Sequence, residues 1–207
     1  MDETTAKRPG WLRRRPKTTL ALLALAIVAV SLALAEALLR LIFGLGNPVL
    51  YELYPLYGYR LRPNQDLKRF FGARIRINNL GLRADEDWDG RLDDKVLFLG
   101  DSVMYAGSFI ANHELFTTLA LKDLPGFKSG NAGVNAWGVE NIHGLVVESG
   151  FQPAKTYVTV VIENDFYRGF SRIAGCPYWC RKPRLALQEV LYFACFKLNM
   201  GRYTRWE

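Results

Sequence analysis

An uncharged apolar run near the N-terminus constrains this chain more than any other feature. Residues 18–35 contain no charged side chain, and apolar character resumes after Glu36 and Arg40 and continues to Phe43. At about 1.5 Å per residue, a helix over residues 18–35 spans roughly 27 Å, close to the hydrocarbon thickness of a bilayer. Glu36 and Arg40 lie four residues apart, so they share a helix face and can pair at the membrane boundary. The sequence predicts one transmembrane helix over residues 18–43.

The charges before this run predict its orientation. Residues 1–17 carry six basic side chains against two acidic ones, and the positive-inside rule keeps such a tail in the cytoplasm. The expected location is a single-pass protein of the inner membrane, with its body on the exported, periplasmic side. A cleaved signal peptide is the alternative, because Ala33-Leu34-Ala35 fits a cleavage site. The length of the apolar run and its continuation to residue 43 favour an anchor.

The net charge of +7 does not indicate a nucleic-acid partner. Besides the N-terminal tail, residues 168–207 carry eight basic side chains against two acidic ones, and the stretch between these ends is net negative. A nucleic-acid-binding domain concentrates positive charge on one folded face. The partner that the charge distribution favours is instead the membrane.

The cysteines fit an exported protein. Cys176 and Cys180 flank a three-residue spacer and are predicted to form a disulfide. Zinc is the less favoured alternative, because it needs two further ligands and the histidines, His113 and His143, lie far upstream. Cys195 lies in an apolar stretch and is expected to be a buried hydrophobe. No metal site and no cofactor are predicted.

The remaining chain divides at about residue 95. Residues 44–94 read as a juxtamembrane lead-in of loops and short strands, with an edge strand near residues 75–78. Residues 95–207 have the pattern of an α/β domain. The continuous apolar run 95–99 is typical of a strand buried on both faces. It is followed by a predicted helix over 113–124 capped by Asn112, a helix over 139–148 and a strand over 157–162, an order that predicts a parallel sheet.

Three polar clusters follow the predicted strands of this domain. They are Gly100-Asp101-Ser102, the segment 131–136, and Glu163-Asn164-Asp165. Because sites in such sheets form beyond the carboxyl ends of the strands, the clusters are expected to meet at one edge. A serine at a strand-to-helix turn, with backbone N–H groups and a carboxamide nearby, suits acyl chemistry through an oxyanion.

The order and spacing of these clusters resemble the SGNH (GDSL) hydrolase family. Its first block is similar to residues 98–102, its second to 131–136 and its third to 162–165, so that the resemblance covers roughly residues 95–167. Residues 56–64 and 77–83 also resemble the lead-in of membrane-anchored members.

The resemblance implies a fold, a site and a reaction class. The fold would be a three-layer α/β/α parallel sheet of flavodoxin-like type. Ser102 would be the nucleophile, and the oxyanion hole would consist of the N–H groups of Ser102 and Ala136 with the Asn164 side chain. The expected reaction is ester hydrolysis or acyl transfer on acyl groups of cell-envelope glycans or lipids.

The chain departs from the family pattern at three points. Ala136 and Ile162 stand where glycines are usual, which are mild changes. The family's general base comes from a C-terminal Asp-x-x-His, whereas residues 165–207 contain no histidine. His143, expected to be structural, and His113, expected at the surface, are not convincing substitutes. The domain is therefore predicted to be incomplete at its C-terminus, and a catalytically inactive relative or fragment that retains only a binding pocket remains the alternative.

Overall fold

The computed structural model describes residues 16–169 and 179–203, which form a mixed α/β fold with a long apolar N-terminal helix. The α-helices are α1 Pro16–Phe43, α2 Ser102–Tyr105, α3 Phe116–Leu119, α4 Val139–His143, α5 Glu163–Tyr167 and α6 Ala186–Tyr203. The strands are β1 Tyr51–Tyr54, β2 Gly58–Leu61, β3 Gln65–Arg69, β4 Ala73–Ile77, β5 Lys95–Gly100, β6 Lys128–Gly133 and β7 Thr156–Val160. Short 3₁₀ helices cover Phe70–Gly72 and Asn112–Glu114, and a π-helical turn, Gly144–Glu148, continues α4.

The prediction of an α/β fold with a parallel sheet is confirmed. Three parallel strands are ordered β6-β5-β7, with β5 in the centre. The register pairs Gly100 of β5 with Gly133 on one side and with Val160 on the other. The carboxyl ends of all three strands therefore meet at one edge. Two antiparallel hairpins, β1-β2 and β3-β4, precede this sheet.

Alternating side chains of β5 feed two separate apolar clusters. Leu97 and Leu99 point into the larger cluster, which contains Tyr59 and Ile75 from the hairpins. Val96 and Phe98 belong to a smaller cluster with Met104. Every residue of β5 is buried, as expected for a central parallel strand covered on both faces.

The lead-in shares the larger core with the sheet. Arg83, just after the β3-β4 hairpin, pairs in antiparallel fashion with Asn131 of β6 through two backbone hydrogen bonds of 2.8 and 3.1 Å. The hairpin is thereby joined to the edge of the sheet. The sequence places a boundary at residue 95, and the structure packs residues from both sides of it into one core.

Helix α1 is a candidate membrane span. It is long and apolar enough to cross a bilayer, and its most apolar window is not buried against the rest of the protein. Length and composition alone support this, and a signal sequence passes the same test. The predicted pairing of Glu36 with Arg40 is confirmed, with 2.6 Å between Oε1 and Nε.

The last turns of α1 are joined to the start of α6. The Glu36 carboxylate accepts hydrogen bonds from the N–H groups of Ala186 (2.8 Å) and Leu187 (3.0 Å), so it caps α6. Arg40 donates to the carbonyl of Arg184 at 2.8 Å. This contact between α1 and the C-terminal helix is not predicted from the sequence, because its two halves lie about 150 residues apart.

A buried ion pair lies beside this junction. The Arg69 guanidinium binds both carboxylate oxygens of Glu189, and the two side chains are 3% and 0% exposed. Glu189 also accepts from the N–H of Gly46 at 2.7 Å, and Arg69 donates to the carbonyl of Gly44 at 2.6 Å. The turn that follows α1 is therefore held by β3 and α6 together.

The predicted helix over 113–124 is wrong in its extent and in its cap. The structure has a 3₁₀ turn, Asn112–Glu114, and then only four α-helical residues. Asn112 is buried, and its side chain donates to the carbonyl of Arg76 and accepts from Arg83 instead of capping a helix. These long-range partners outcompete a local cap. Cys195 also differs from expectation, because it is exposed and free.

Candidate active site

Ser102 lies in a tight turn directly beyond the central strand. Asp101 caps α2 by accepting a 2.8 Å hydrogen bond from the N–H of Val103, and its side chain is 2% exposed. The Ser102 hydroxyl lies 3.3 Å from the other Asp101 oxygen and is exposed at the surface. Gly100 makes this turn possible, since a Cβ there would lie 2.7 Å from the carbonyl oxygen of Val160 and 2.8 Å from Met104.

The second polar cluster is bound directly to this turn. The Asn131 carboxamide is buried, donates to the carbonyl of Met104 at 2.7 Å and accepts from the N–H of Gly133 at 2.7 Å. Gly133 packs so closely on Tyr105 that a side chain there would collide with its backbone nitrogen. Beyond it, the N–H of Val134 reaches the carbonyl of Gly100 at 3.2 Å.

Ala136 occupies the left-handed region of backbone space, with φ of +62°. The residue before it is held from two sides, because Tyr59 donates to the carbonyl of Asn135 at 2.6 Å and the Asn135 carboxamide donates to the Tyr51 hydroxyl at 3.0 Å. A positive φ favours glycine, so the alanine at this position is strained.

The third cluster begins α5. Asp165 is 1% exposed, and its carboxylate accepts from the N–H of Ile162 at 3.0 Å, which fixes the turn into the helix. Asn164 lies on the exposed side of this turn. The conformation of the segment therefore depends on the aspartate, while the carboxamide is left open.

Arg168 joins the first and third clusters to the residue after the second, a role that the sequence does not predict. One guanidinium nitrogen, Nη1, donates to Asp101 at 3.1 Å, to the carbonyl of Trp137 at 2.9 Å and to Asp165 at 2.9 Å. Asp101 belongs to the first cluster and Asp165 to the third, whereas Trp137 directly follows the second. The three-residue spacing from Asp165 to Arg168 is the sole local signal, and it does not reveal the two distant partners.

The three predicted oxyanion donors are unoccupied among the described residues. The N–H groups of Ser102 and Ala136 and the side chain of Asn164 have no hydrogen-bond partner within residues 16–169 and 179–203. All three residues are exposed beyond the same edge of the sheet. A developing oxyanion requires donors that are not already engaged, and these three meet that condition.

Arg83 shapes the loop that follows Ser102. Its guanidinium is buried and donates to the carbonyls of Tyr105 (2.6 Å), Gly107 (2.7 Å) and Ile110 (2.5 Å). It also lies over the Tyr105 ring, 5.2 Å from the centroid. Burial away from water lowers the pKa of Arg83 below its ordinary value. In the sequence, Arg83 is notable only as the last residue of the segment 77–83, and its role in holding this loop is not predicted.

Neither histidine contacts Ser102 within the part of the chain that the structure describes. His143 is expected to be structural but is exposed, with Nδ1 lying 3.7 Å from a carboxylate oxygen of Glu148. His113 is exposed on the 3₁₀ turn, as expected. Of the predicted disulfide, Cys180 is disulfide-bonded, and Cys176 lies outside the described residues, so their pairing stays a prediction.

Comparison with known proteins does not assign this site to a family. No family model matches the chain, and neither the curated proteins nor the solved structures include a significant match. The candidate site therefore depends on its geometry and on the motif resemblance alone.

Proposed function

We propose that this protein is a membrane-anchored SGNH-type hydrolase or acyltransferase that acts on ester-linked acyl groups of envelope glycans or lipids. The observation that carries the proposal is the single Arg168 nitrogen bound to the first and third polar clusters and to Trp137, the residue directly after the second. It holds together the segments that contain Ser102, Ala136 and Asn164. The envelope substrate follows from the anchor and from the family resemblance.

In the proposed reaction, the Ser102 oxygen attacks the ester carbonyl carbon while the hydroxyl proton passes to a base. The carbonyl oxygen becomes an oxyanion that accepts hydrogen bonds from the donors of Ser102, Ala136 and Asn164. Collapse breaks the bond to the alcohol oxygen, and the alcohol leaves with a proton. Water or an acceptor hydroxyl then releases the acyl group by the same route. Losing one such donor typically costs about 10²–10³ in rate.

The base is the component that the described residues do not supply to Ser102. The Asp101 carboxylate accepts a hydrogen bond from the Ser102 hydroxyl at 3.3 Å, but it is also held by Val103 and Arg168, so we assign it to positioning the turn. Removing a member of a catalytic triad can cost roughly 10⁴–10⁶ in rate. The missing base therefore favours a second candidate function when no base is added, that of a catalytically inactive relative that retains a binding pocket.

Serine labelling with added base tests the site directly. A fluorophosphonate probe should label the protein slowly, and excess imidazole in the buffer should accelerate labelling by acting as an external base. Ser102→Ala should abolish the accelerated labelling, while Ser149→Ala, a change at a serine outside the polar clusters and the cavity, should preserve it. Imidazole-dependent labelling that survives Ser102→Ala would refute the assignment of the nucleophile.

Turnover gives a second readout of the same proposal. The chain should hydrolyse a short-chain nitrophenyl ester negligibly, and Ser102→Ala should change that rate little. With imidazole present, hydrolysis should increase and should depend on Ser102. Robust Ser102-dependent hydrolysis without added base would mean that His113 or His143 acts as an unrecognised base.

The proposed topology has residues 1–17 in the cytoplasm and the body exported. An alkaline phosphatase fused after Glu207 should be active, because the basic cluster precedes the apolar run. A cytoplasmic reporter active at the same junction would contradict this. Recovery of the uncleaved N-terminus from the membrane fraction distinguishes an anchor from a signal peptide, and peptide mass spectrometry without reduction tests the Cys176–Cys180 pairing.

A further inference from the structure

A mostly apolar cavity of about 230 Å³ lies between the lead-in, the loop after Ser102 and helix α6. Its wall is made largely of carbon from aromatic and aliphatic side chains. These are Val49, Tyr51, Phe70, Tyr105, Tyr192 and Phe193. A cavity of this character favours an apolar ligand over a sugar or an ion.

One part of the cavity wall belongs to the candidate active site. Gly107 and Ser108 follow α2, whose first residue is Ser102, and Asn135 directly precedes Ala136. Arg83 holds the loop that carries Gly107 and Ser108, because its guanidinium donates to the backbone carbonyls of Gly107 and Ile110. A ligand in the cavity therefore lies against the segments that position the nucleophile and one oxyanion donor.

Another part of the wall belongs to the junction at the outer end of α1. Arg69 and Glu189 line the cavity and also bind the backbone of Gly44 and Gly46, just after α1 ends. Phe71, which follows the cavity residue Phe70, is 80% exposed and contacts the Phe43 ring at 5.4 Å. The cavity thus joins the end of the proposed anchor to the proposed site.

Exposed apolar side chains surround this junction. Leu41 is 83% exposed, Leu185 is 52% exposed and Leu191 is 65% exposed. Apolar surface of this kind, next to a membrane-spanning helix, is stable in contact with lipid. Leu191 directly precedes the cavity residue Tyr192, so apolar surface of this kind adjoins the cavity wall.

We propose that the cavity binds the unbranched acyl chain of a membrane lipid ester and places its ester group at Ser102. A dry cavity of about 150 Å³ accommodates benzene, so this one accommodates roughly nine carbons by the same ratio. The acyl group would be a medium-length fatty chain and not an acetyl group. Cleavage of the ester bond at Ser102 rests on the proposed function, whereas binding of the acyl chain in the cavity does not.

The test uses the full chain carrying Ser102→Ala in lipid nanodiscs, so that turnover plays no part. Photoactivatable acyl probes from butanoyl to palmitoyl are crosslinked, and mass spectrometry locates the attachment. When it is referred to the probe concentration free in water, affinity for the cavity should increase about fourfold per methylene and level off near roughly nine carbons. Crosslinks should fall on the cavity wall. Equal affinity for butanoyl and decanoyl probes would overturn the proposal.

Two variants test the dimensions of the cavity. Phe193→Ala should move the plateau to longer chains, and Ser108→Phe should move it to shorter ones. Phe127→Ala is the matched control, because Phe127 is 46% exposed, Phe193 is 45% exposed and only Phe193 lines the cavity. A plateau unchanged by both cavity variants, or moved equally by the control, would contradict the assignment.

The source of the chain is tested by presenting the octanoyl probe either as a phospholipid within the bilayer or as a free acid. Capture of the phospholipid chain supports the membrane source, and capture of the free acid alone refutes it. The serine chemistry is judged separately, by fluorophosphonate labelling of the native serine. If chain-length dependence is lost while Ser102 is still labelled, the proposed acyl-chain cavity is refuted and the serine chemistry is not. If chain-length dependence is present while Ser102 is not labelled, only the serine chemistry is refuted.

Discussion

The Arg168 guanidinium lies 3.1 Å from the Asp101 carboxylate, which joins the end of the third polar cluster to the turn that carries Ser102. Asp101 and Asp165 are 2% and 1% exposed, and the same arginine nitrogen binds both. Two nearly buried carboxylates therefore depend on one half-buried cation. Such an arrangement makes the arginine a positioning residue for the site.

Replacing Arg168 with Met should weaken both the fold and the site. The two aspartates would lose a charged hydrogen-bond donor, which should reduce the free energy of unfolding by about 1–3 kcal/mol. Denaturant unfolding and imidazole-dependent labelling of Ser102 measure the two effects. Arg91→Met is the control, because its pair with Asp89 is exposed to solvent and should contribute little to stability. Equal effects of both variants would contradict the positioning role.

Replacing Arg83 with Met should release the loop after α2. The carbonyls of Tyr105, Gly107 and Ile110 would lose their donor inside the protein, so unfolding free energy should fall by about 3 kcal/mol or more. Limited proteolysis should detect faster cleavage within residues 106–111. Arg74→Met is the matched control, since Arg74 pairs with Asp66 at the surface. Unchanged protection of the loop would mean that Arg83 does not hold it.

Replacing Ala136 with Gly should stabilise the protein. A non-glycine residue at φ of +62° costs roughly 1–2 kcal/mol, part of which is offset by the greater freedom of glycine in the unfolded chain, leaving a gain of about 0.5–1 kcal/mol. The N–H group remains, so labelling of Ser102 should persist. Ala132→Gly, in the buried strand β6, should destabilise instead. A stability loss at position 136 equal to that at 132 would refute the strain argument.

Tyr57 should make the fold sensitive to alkali. Burial raises its pKa to about 12, whereas an unfolded chain ionises tyrosine near 10. Between these values the unfolded state binds fewer protons, so the stabilisation that is complete below pH 10 is lost as pH rises to about 12. Denaturant unfolding of the wild type and Tyr57→Phe at several pH values should show the wild type losing more stability across this window. Parallel curves would contradict the assignment.

The sequence predicts those parts of the fold that local pattern determines. The apolar run 95–99 is buried on both faces as β5, and residues 139–148 are helical throughout, with a π turn in the second half. Glu36 and Arg40 pair because their spacing alone brings them onto one helix face. The meeting of the polar clusters at one edge follows from parallel strand order.

The remaining features depend on contacts between distant residues. Arg83 and Arg168 hold the site through backbone carbonyls and carboxylates that no motif spacing connects to them. Asn112 looks like a helix cap in the sequence, yet its actual partners are Arg76 and Arg83. The hairpins of the lead-in supply much of the core, which their Tyr- and Arg-rich composition does not indicate.

The short passage from α1 into the body has a mechanical consequence. Leu45 and Gly46 are already buried, and Glu36 and Arg40 hold α6 before α1 has ended. A flexible tether would let an enzyme explore a volume that grows with the length of the tether. Here no such tether separates the proposed anchor from the body, so membrane insertion of α1 would keep Ser102 at a nearly constant height above the bilayer. Under the proposed function, only ester groups presented at that height would meet Ser102, and the attachment itself would select the substrate.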